Sequence, residues 1–122
     1  MKKIVFTITV FMAFILFGSL ENAKAQAGKM EWRGTVDDVV EVRIRNRNAN
    51  VKTISGTAYN DDSANFWSPL PRDRVTVSVN KKDGRGQVYV TQQPNRRNNY
   101  TAIVHIVDKK GSKDNYRFVL SW

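Results

Sequence analysis

Seven arginines of the sequence stand in three short groups, and their side chains are well suited to holding an anion. The groups are Arg96 and Arg97, Arg72 and Arg74, and Arg43, Arg45 and Arg47. A guanidinium group is planar and donates paired hydrogen bonds that match the oxygens of a carboxylate or a phosphate. We therefore take these seven residues as candidates for anion binding.

Arg96 and Arg97 lie in the segment QQPNRRNN, residues 92–99, between two alternating apolar runs. This segment is far longer than the two residues that close a tight hairpin. Its carboxamide side chains can cap backbone groups, and Pro94 fixes one φ angle. We expect a loop that is held in one shape while its two arginines face water.

The sequence offers little material for catalysis. It has no cysteine, which excludes thiol chemistry, and its one histidine, His105, lies within an apolar alternating run. Zinc has no plausible ligand set here, because such sites draw on several histidines or thiolates. The oxygen-rich segment NDDSAN, residues 60–65, holds too few oxygens for calcium, which takes about six to eight. We expect no catalytic residue, no metal site and no cofactor, and interpret His105 as a packed, hydrogen-bonded strand residue.

Two neighbouring aromatic residues, Phe66 and Trp67, are candidates for an exposed ring. In an extended chain they put one ring on each face, so one of them can point outward. An outward ring can stack on a sugar or contact a protein partner, and burial under the following SPLP segment is the alternative. The other tryptophans, Trp32 and Trp122, fall on apolar faces of their runs and are predicted to lie in the core with Phe118.

The elements that must position these side chains are β-strands. Apolar residues alternate with polar ones in VVEVRIRNR (39–47), RVTVSV (74–79), QVYVTQ (87–92) and NYRFVLSW (115–122). Period-two alternation predicts half-buried strands, and turn residues separate the runs. The pattern indicates an all-β fold, a single-domain antiparallel β-sandwich of seven or eight short strands, with a small β-barrel as the alternative.

The order of the turns predicts where the charges go. If the last four strands form an antiparallel meander, the lysine-rich tips KKDGRG (81–86) and DKKGSKD (108–114) share one end of the sheet. The loop 92–99 then lies at the other end, beside Arg72 and Arg74. We therefore expect two basic ends, one rich in lysine and one rich in arginine, although solvated loops are the alternative for both.

The third arginine group predicts a stripe along one strand. Arg43, Arg45 and Arg47 are spaced two residues apart, which puts them on one face about 6.6–7 Å from one another. Such a stripe can follow a polyanion, and a merely solvated strand face is the alternative.

The N-terminus has the pattern of a secretory signal peptide, residues 1–25. A basic MKK precedes the uncharged apolar run 4–18, and Ala23 and Ala25 form a small-residue cleavage site. The 15-residue run spans about 22 Å as a helix, less than the roughly 30 Å of a bilayer core. We expect export to the periplasm or the extracellular space, one domain at 26–122, and no transmembrane anchor after cleavage.

The charge balance is strongly basic. The chain has 20 lysines and arginines against 11 aspartates and glutamates. Residues 1–25 hold three of those lysines and one glutamate, which leaves 17 cationic and 10 anionic side chains and a net charge of +7. Such an excess favours association with polyanions, although a basic protein need not bind one.

The C-terminal part of the chain resembles small exported bacterial proteins of undescribed function. The shared pattern is GRG, QQP, YTA preceded by asparagine, and a closing Y-x-F-x-L-x-W. Here these motifs lie at 84–86, 92–94, 99–102 and 116–122. The resemblance implies no activity, ligand or site.

Three functions remain open, all of them non-enzymatic. The first is binding of an anionic envelope polymer or lipid surface through the basic loops, without specificity for nucleic acid. The second is a protein-interaction or structural subunit that uses a sheet edge or the aromatic patch at Phe66 and Trp67. The third is a carbohydrate-binding module in which Trp67 stacks on a sugar.

Overall fold

The computed structural model describes residues 28–56, 61–111 and 113–122. The predicted signal peptide, residues 1–25, lies outside them, as does Asn60 of the oxygen-rich segment. No helix in the described part of the chain is long and apolar enough to cross a membrane. The described residues form eight β-strands and one 3-10 helix, Arg96–Asn98. The strands are β1 Lys29–Val36, β2 Val39–Arg45, β3 Asn48–Ser55, β4 Ser63–Phe66, β5 Ser78–Asp83, β6 Gln87–Gln92, β7 Ala102–Val107 and β8 Asp114–Ser121.

The strands form two antiparallel four-stranded sheets. The first sheet has the order β4-β1-β8-β5 and the second has the order β3-β2-β7-β6. No described strand is shared between the two sheets. The predicted all-β sandwich is therefore confirmed, and the alternative of one closed sheet is wrong.

The alternation of the sequence fills the space between the sheets. Val42 and Val104 face inward from paired strands of the second sheet, and both are fully buried. In the first sheet, the rings of Trp32 and Phe118 stack with their centroids 5.6 Å apart. Facing sheets interdigitate such inward side chains into one apolar layer. The buried hydrophobic residues are Met30, Trp32, Val36, Val40, Val42, Ile44, Leu70, Val77, Ala102, Val104, Ile106, Tyr116, Phe118, Leu120 and Trp122.

The chain end at Trp122 is docked, as predicted. The Gly28 amide donates to the Trp122 carbonyl over 2.9 Å, and the Trp122 amide donates to the Gly28 carbonyl over 3.0 Å. The tryptophan is only 6% exposed. The pairing of β1 with β8 thus continues to the last residue.

The predicted meander of the last four strands is wrong. β5 pairs with β8 in the first sheet, whereas β6 pairs with β7 in the second. The connections 84–86 and 108–113 therefore cross from one sheet to the other instead of closing hairpins. Consecutive strands still run in opposite directions along the sandwich, so the connections continue to alternate between its two ends.

The strand predicted at RVTVSV begins later than expected, at Ser78. Just before Ser78, the side chain of Gln93 makes the hydrogen bonds to Val77 that a neighbouring strand would otherwise make. The amide of Val77 donates to Oε1 of Gln93 over 2.7 Å, and Nε2 of Gln93 donates to the Val77 carbonyl over 2.9 Å. Val77 is buried and Val75 and Val79 pack against the core, so the inward direction of this run is confirmed.

Two glycines at the same end of the sandwich allow a matched test of the packing. Gly84 and Gly111 both have left-handed φ angles, +123° and +78°. A Cβ at position 84 would overlap the ring of Tyr116, whereas one at position 111 meets nothing within 4 Å. We expect Gly84→Ala to lower the free energy of unfolding by about 3 kcal/mol and Gly111→Ala by about 1 kcal/mol, because only the first adds overpacking to the backbone cost. Urea denaturation measures both, and equal losses would contradict this packing.

Candidate anion-binding site

Three connections meet at one end of the sandwich, which we call the arginine end. They are the turn 46–47, the segment 67–77 and the loop 93–101, and the arginine end also includes the adjoining strand ends, which carry Lys29 and Arg45. The amide of Leu70 donates to the carbonyl of Asn46 over 2.9 Å. The side chain of Gln93 forms hydrogen bonds with both the amide and the carbonyl of Val77. These hydrogen bonds join the three connections into one surface. The predicted proximity of the loop to Arg72 and Arg74 is therefore confirmed.

The arginine end holds most of the net charge of the domain. All 10 carboxylates of residues 26–122 lie within the described residues. One of them, Asp73, belongs to this end, against seven cationic side chains, which gives a local net charge of +6. The cations are Lys29, Arg45, Arg47, Arg72, Arg74, Arg96 and Arg97.

The opposite end is close to neutral, so the prediction of two basic ends is wrong. Its connections and adjoining strand ends carry six cations and seven aspartates. Several aspartates there hold the backbone: Oδ1 of Asp37 accepts from the Gly111 amide over 2.7 Å, and Oδ2 of Asp114 accepts from the Arg85 amide over 2.9 Å. The cations are Lys81, Lys82, Arg85, Lys109, Lys110 and Lys113, and the aspartates are Asp37, Asp38, Asp61, Asp62, Asp83, Asp108 and Asp114.

Ion pairing follows the same division. Four arginines elsewhere on the domain are each paired with a carboxylate: Arg33 with Glu31 at 3.0 Å, Arg43 with Glu41 at 2.7 Å, Arg85 with Asp114 at 3.3 Å and Arg117 with Asp83 at 2.9 Å. Within residues 28–56, 61–111 and 113–122, no arginine of the arginine end forms an ion pair. The unneutralised guanidinium groups of the protein are thus gathered at one place.

The loop 93–101 is built by its own carboxamides, as predicted. Oδ1 of Asn98 accepts from the amides of Asn95 and Thr101, at 2.9 and 3.1 Å. Nδ2 of the same side chain donates to the carbonyls of Gln93 and Thr101, at 2.9 and 3.0 Å. Pro94 is fully buried. One asparagine therefore holds both arms of the loop together.

Arg96 and Arg97 sit on the short helix that this scaffold supports. Oδ1 of Asn95 caps the helix by accepting from the Asn98 amide over 3.1 Å. Both arginine side chains are exposed. The backbone beneath them is fixed while their guanidinium groups face water, as the sequence predicted.

A groove of about 500 Å³ opens beside this loop. Arg45, the last residue of β2, and Arg72, from the segment 67–77, both line it, and Asn46 and Asn99 line it as well. Leu70, only 2% exposed, contributes to its apolar lining. Arg96 and Arg97 belong to the same end of the sandwich but are not among the lining residues.

Tyr100 also lines the groove, and its backbone is unusual. Asn99 and Tyr100 have consecutive left-handed φ angles, +57° and +56°. Asparagine tolerates this conformation, whereas a residue with a large ring rarely adopts it. Neither residue was predicted as a site residue from the sequence, because no periodicity or charge marks them.

The stripe predicted for Arg43, Arg45 and Arg47 does not form. β2 ends at Arg45, and Asn46 has a φ of +55°, which breaks the alternation and leaves Arg47 in the turn. The hydrogen bond from Arg43 holds the pKa of Glu41 below its ordinary value, so the Arg43 charge is balanced. Arg45 and Arg47 belong to the arginine end, and Arg43 does not.

His105 is a hydrogen-bonded strand residue, as interpreted. Its Nε2 lies 3.2 Å from Oε1 of Glu41, and its side chain is 26% exposed. The ring of Tyr89 is tilted against it with the centroids 6.0 Å apart. The imidazole of His105 therefore lies on the outer face of the second sheet, in contact with Glu41 and Tyr89.

Of the two neighbouring aromatic residues, Trp67 faces outward. Phe66 packs against the core, whereas Trp67 is 52% exposed. Nζ of Lys29 lies 4.8 Å from the centroid of the Trp67 ring, within the range of a cation–π contact. The core positions predicted for Trp32, Phe118 and Trp122 are confirmed.

The described residues contain no group of three or more His, Cys, Asp or Glu side chains that could hold a metal ion. In the oxygen-rich segment, the carboxylate of Asp61 accepts hydrogen bonds from the amide and the hydroxyl of Thr35. These hydrogen bonds hold the pKa of Asp61 below its ordinary value. This carboxylate therefore positions the chain before β4.

No protein-family model matches the chain, and comparisons with curated proteins and with solved structures found no match either. The motifs of the GRG…QQP pattern make packing contacts in this structure. The amide of Gly86 donates to the Tyr116 hydroxyl over 2.6 Å, and burial raises the pKa of that phenol to about 12. Gln93 completes the hydrogen bonds of Val77. Fold-building contacts therefore account for these motif residues.

Removal of the Asn98 side chain tests how the loop is held. We expect Asn98→Ala to lower the free energy of unfolding by about 2–3 kcal/mol, because it breaks four hydrogen bonds and leaves part-buried backbone groups unpaired. Asn50→Ala is the matched control, since Asn50 is exposed on β3 and its side chain makes no hydrogen bond within the described residues. Chemical denaturation measures both variants. An Asn98→Ala protein as stable as the control would contradict the scaffold.

Proposed function

We propose that this protein is a small exported, non-enzymatic binding module that attaches to an anionic component of the cell envelope or its surroundings. The arginine end is the contact surface. The component is recognised by its carboxylate, phosphate or sulfate groups, and the module acts in the periplasm or outside the cell.

The observation that carries this proposal is the local side-chain charge of +6, formed by seven cationic side chains against one acidic side chain, Asp73. Gathering like charges destabilises a compact domain through repulsion, and carboxylates are available elsewhere in the chain to relieve it. Arg33, Arg43, Arg85 and Arg117 each have such a partner. A bound polyanion would supply the missing counter-charge at the arginine end.

The fixed backbone that carries Arg96 and Arg97 supports the same function. The hydrogen bonds of Asn98 fix the backbone that carries Arg96 and Arg97. A fixed backbone reduces the entropy lost when a ligand binds. Arginine also gives paired hydrogen bonds to anionic oxygens, which the ammonium group of a lysine does not.

Salt dependence gives the direct test. We expect the domain to bind dextran sulfate, and its affinity to fall steeply between about 50 and 200 mM salt, because binding releases counterions from the polymer. Arg96→Ser with Arg97→Ser should weaken binding about tenfold or more at low salt and reduce the slope of log affinity against log salt by about two. Fluorescence anisotropy with labelled polymer measures both quantities.

The matched control is Lys109→Ser with Lys110→Ser, which removes the same charge from the opposite end. We expect its affinity to stay within about threefold of the unchanged protein, as for a non-contacting surface charge screened over about 10 Å. Binding that ignores ionic strength, or equal losses in the two double variants, would contradict the proposal.

A second function is favoured by the edge strand β3. This strand forms one edge of the second sheet across eight residues, and Lys52 is its one charged residue. A long edge with little charge and no proline can pair with another chain. As a protein-interaction subunit, the domain would form a defined complex that tolerates loss of Arg96 and Arg97. Ile54→Lys, at an exposed position of β3, should then abolish the complex in analytical ultracentrifugation, and an unchanged complex would contradict this alternative.

A further inference from the structure

We propose that the groove at the arginine end takes one acidic sugar unit, a hexose ring that bears a carboxylate, phosphate or sulfate. This inference rests on the proposed anion binding and deepens it by naming the class of the anion. The lining of the groove supplies three kinds of contact, and a sugar acid is the ligand chemistry that uses all three.

The first kind of contact is with the acid group. Arg45 comes from the end of β2 and Arg72 from the segment 67–77, and both line the groove. Neither forms an ion pair within the described residues. Two arginines that line one groove from different parts of the chain can together bind a single anionic group with several oxygens.

The second kind is with hydroxyl groups. Asn46 and Asn99 line the groove, and their side chains make no hydrogen bond with any described residue. A carboxamide offers both donors and an acceptor, which is the pairing that adjacent sugar hydroxyls require. A simple polyanion, such as a polyphosphate, has no hydroxyls to satisfy them.

The third kind is with the ring itself. Pro69 and Pro71, on either side of the buried Leu70, give part of the groove an apolar surface, and Tyr100 adds an aromatic residue. The C–H face of a sugar ring packs on such a surface, whereas a chain of charged groups gains nothing from it. The volume of about 500 Å³ suits a small ligand rather than a flat polymer contact.

The strained backbone of Tyr100 points to the same site. Its φ of +56° is held by the hydrogen bond from its amide to the Asn95 carbonyl, over 2.8 Å. Asparagine would occupy this conformation at lower cost, and the strained tyrosine lies where it lines the groove. Strain of this kind concentrates at ligand-binding sites, where the surrounding structure enforces it.

The experiment compares two probes of equal charge on the unchanged protein. One is a galacturonic acid oligomer, and the other is a polyacrylate with the same number of carboxylates and no sugar ring. We expect isothermal titration calorimetry to show the oligomer binding about tenfold more tightly, the equivalent of one well-placed hydrogen bond to a charged group. Full methyl esterification of the oligomer should abolish its binding, because the carboxylates then carry no charge.

The variant Tyr100→Asn distinguishes the contribution of the tyrosine ring to sugar binding from its contribution to the stability of the fold. We expect it to lower affinity for the oligomer about fivefold or more and to leave the polyacrylate affinity unchanged, because only the sugar contacts the ring. Its melting temperature should stay the same or rise, since asparagine relieves the left-handed strain. Tyr89→Asn is the control, because Tyr89 is exposed on the outer face of the second sheet, away from the groove.

The outcomes distinguish the two proposals. Equal affinity for both probes, or an oligomer affinity that Tyr100→Asn does not change, overturns the sugar assignment. In that case polyacrylate binding that depends on Arg96 and Arg97 still supports the anion-binding function. If neither probe binds at low salt, both proposals fail.

Discussion

The structure depends on one constraint, the packing of two apolar sheet faces against each other. The Trp32–Phe118 stack and the alternating valines of the second sheet fill the space between them. Each strand must run along the sandwich to present its inner face, and consecutive strands run in opposite directions. Every connection is therefore assigned to one of two ends by its place in the chain order. This holds whether a connection stays within a sheet or crosses to the other.

The charged residues are divided between the two ends of the sandwich in the same way as the connections that carry them. Connections at one end carry arginines with almost no acid, and connections at the other carry aspartates that offset the lysines. Those aspartates also form structural hydrogen bonds. For example, the Arg85 amide donates to the carboxylate of Asp114, and this hydrogen bond holds the pKa of Asp114 below its ordinary value. These aspartates thus help to build one end, and among the described residues the arginines of the other end form no ion pair. The net charge of +7 is in effect a property of one surface.

Local patterns predicted the faces of the strands but not their neighbours. The alternation of Val40, Val42 and Ile44 fixes which side chains are buried, because period two is a property of one strand. It carries no information on which sheet a strand joins, and for that reason the meander was wrong. The ends of the sandwich were still predicted, because strand direction alone decides them. The groove could not be predicted, since it arises where Arg45 at the end of β2 comes together with Arg72 and Tyr100 from two connections.

Mapping of a bound anion by NMR would show directly whether the arginine end is the contact surface. Backbone amide shifts of the ¹⁵N-labelled protein would be followed during titration with polyphosphate at low ionic strength. We expect the perturbed amides to fall in residues 45–48, 67–77 and 93–101, the arginine end. Perturbations centred on residues 84–86 and 108–111, or spread evenly over the surface, would contradict it.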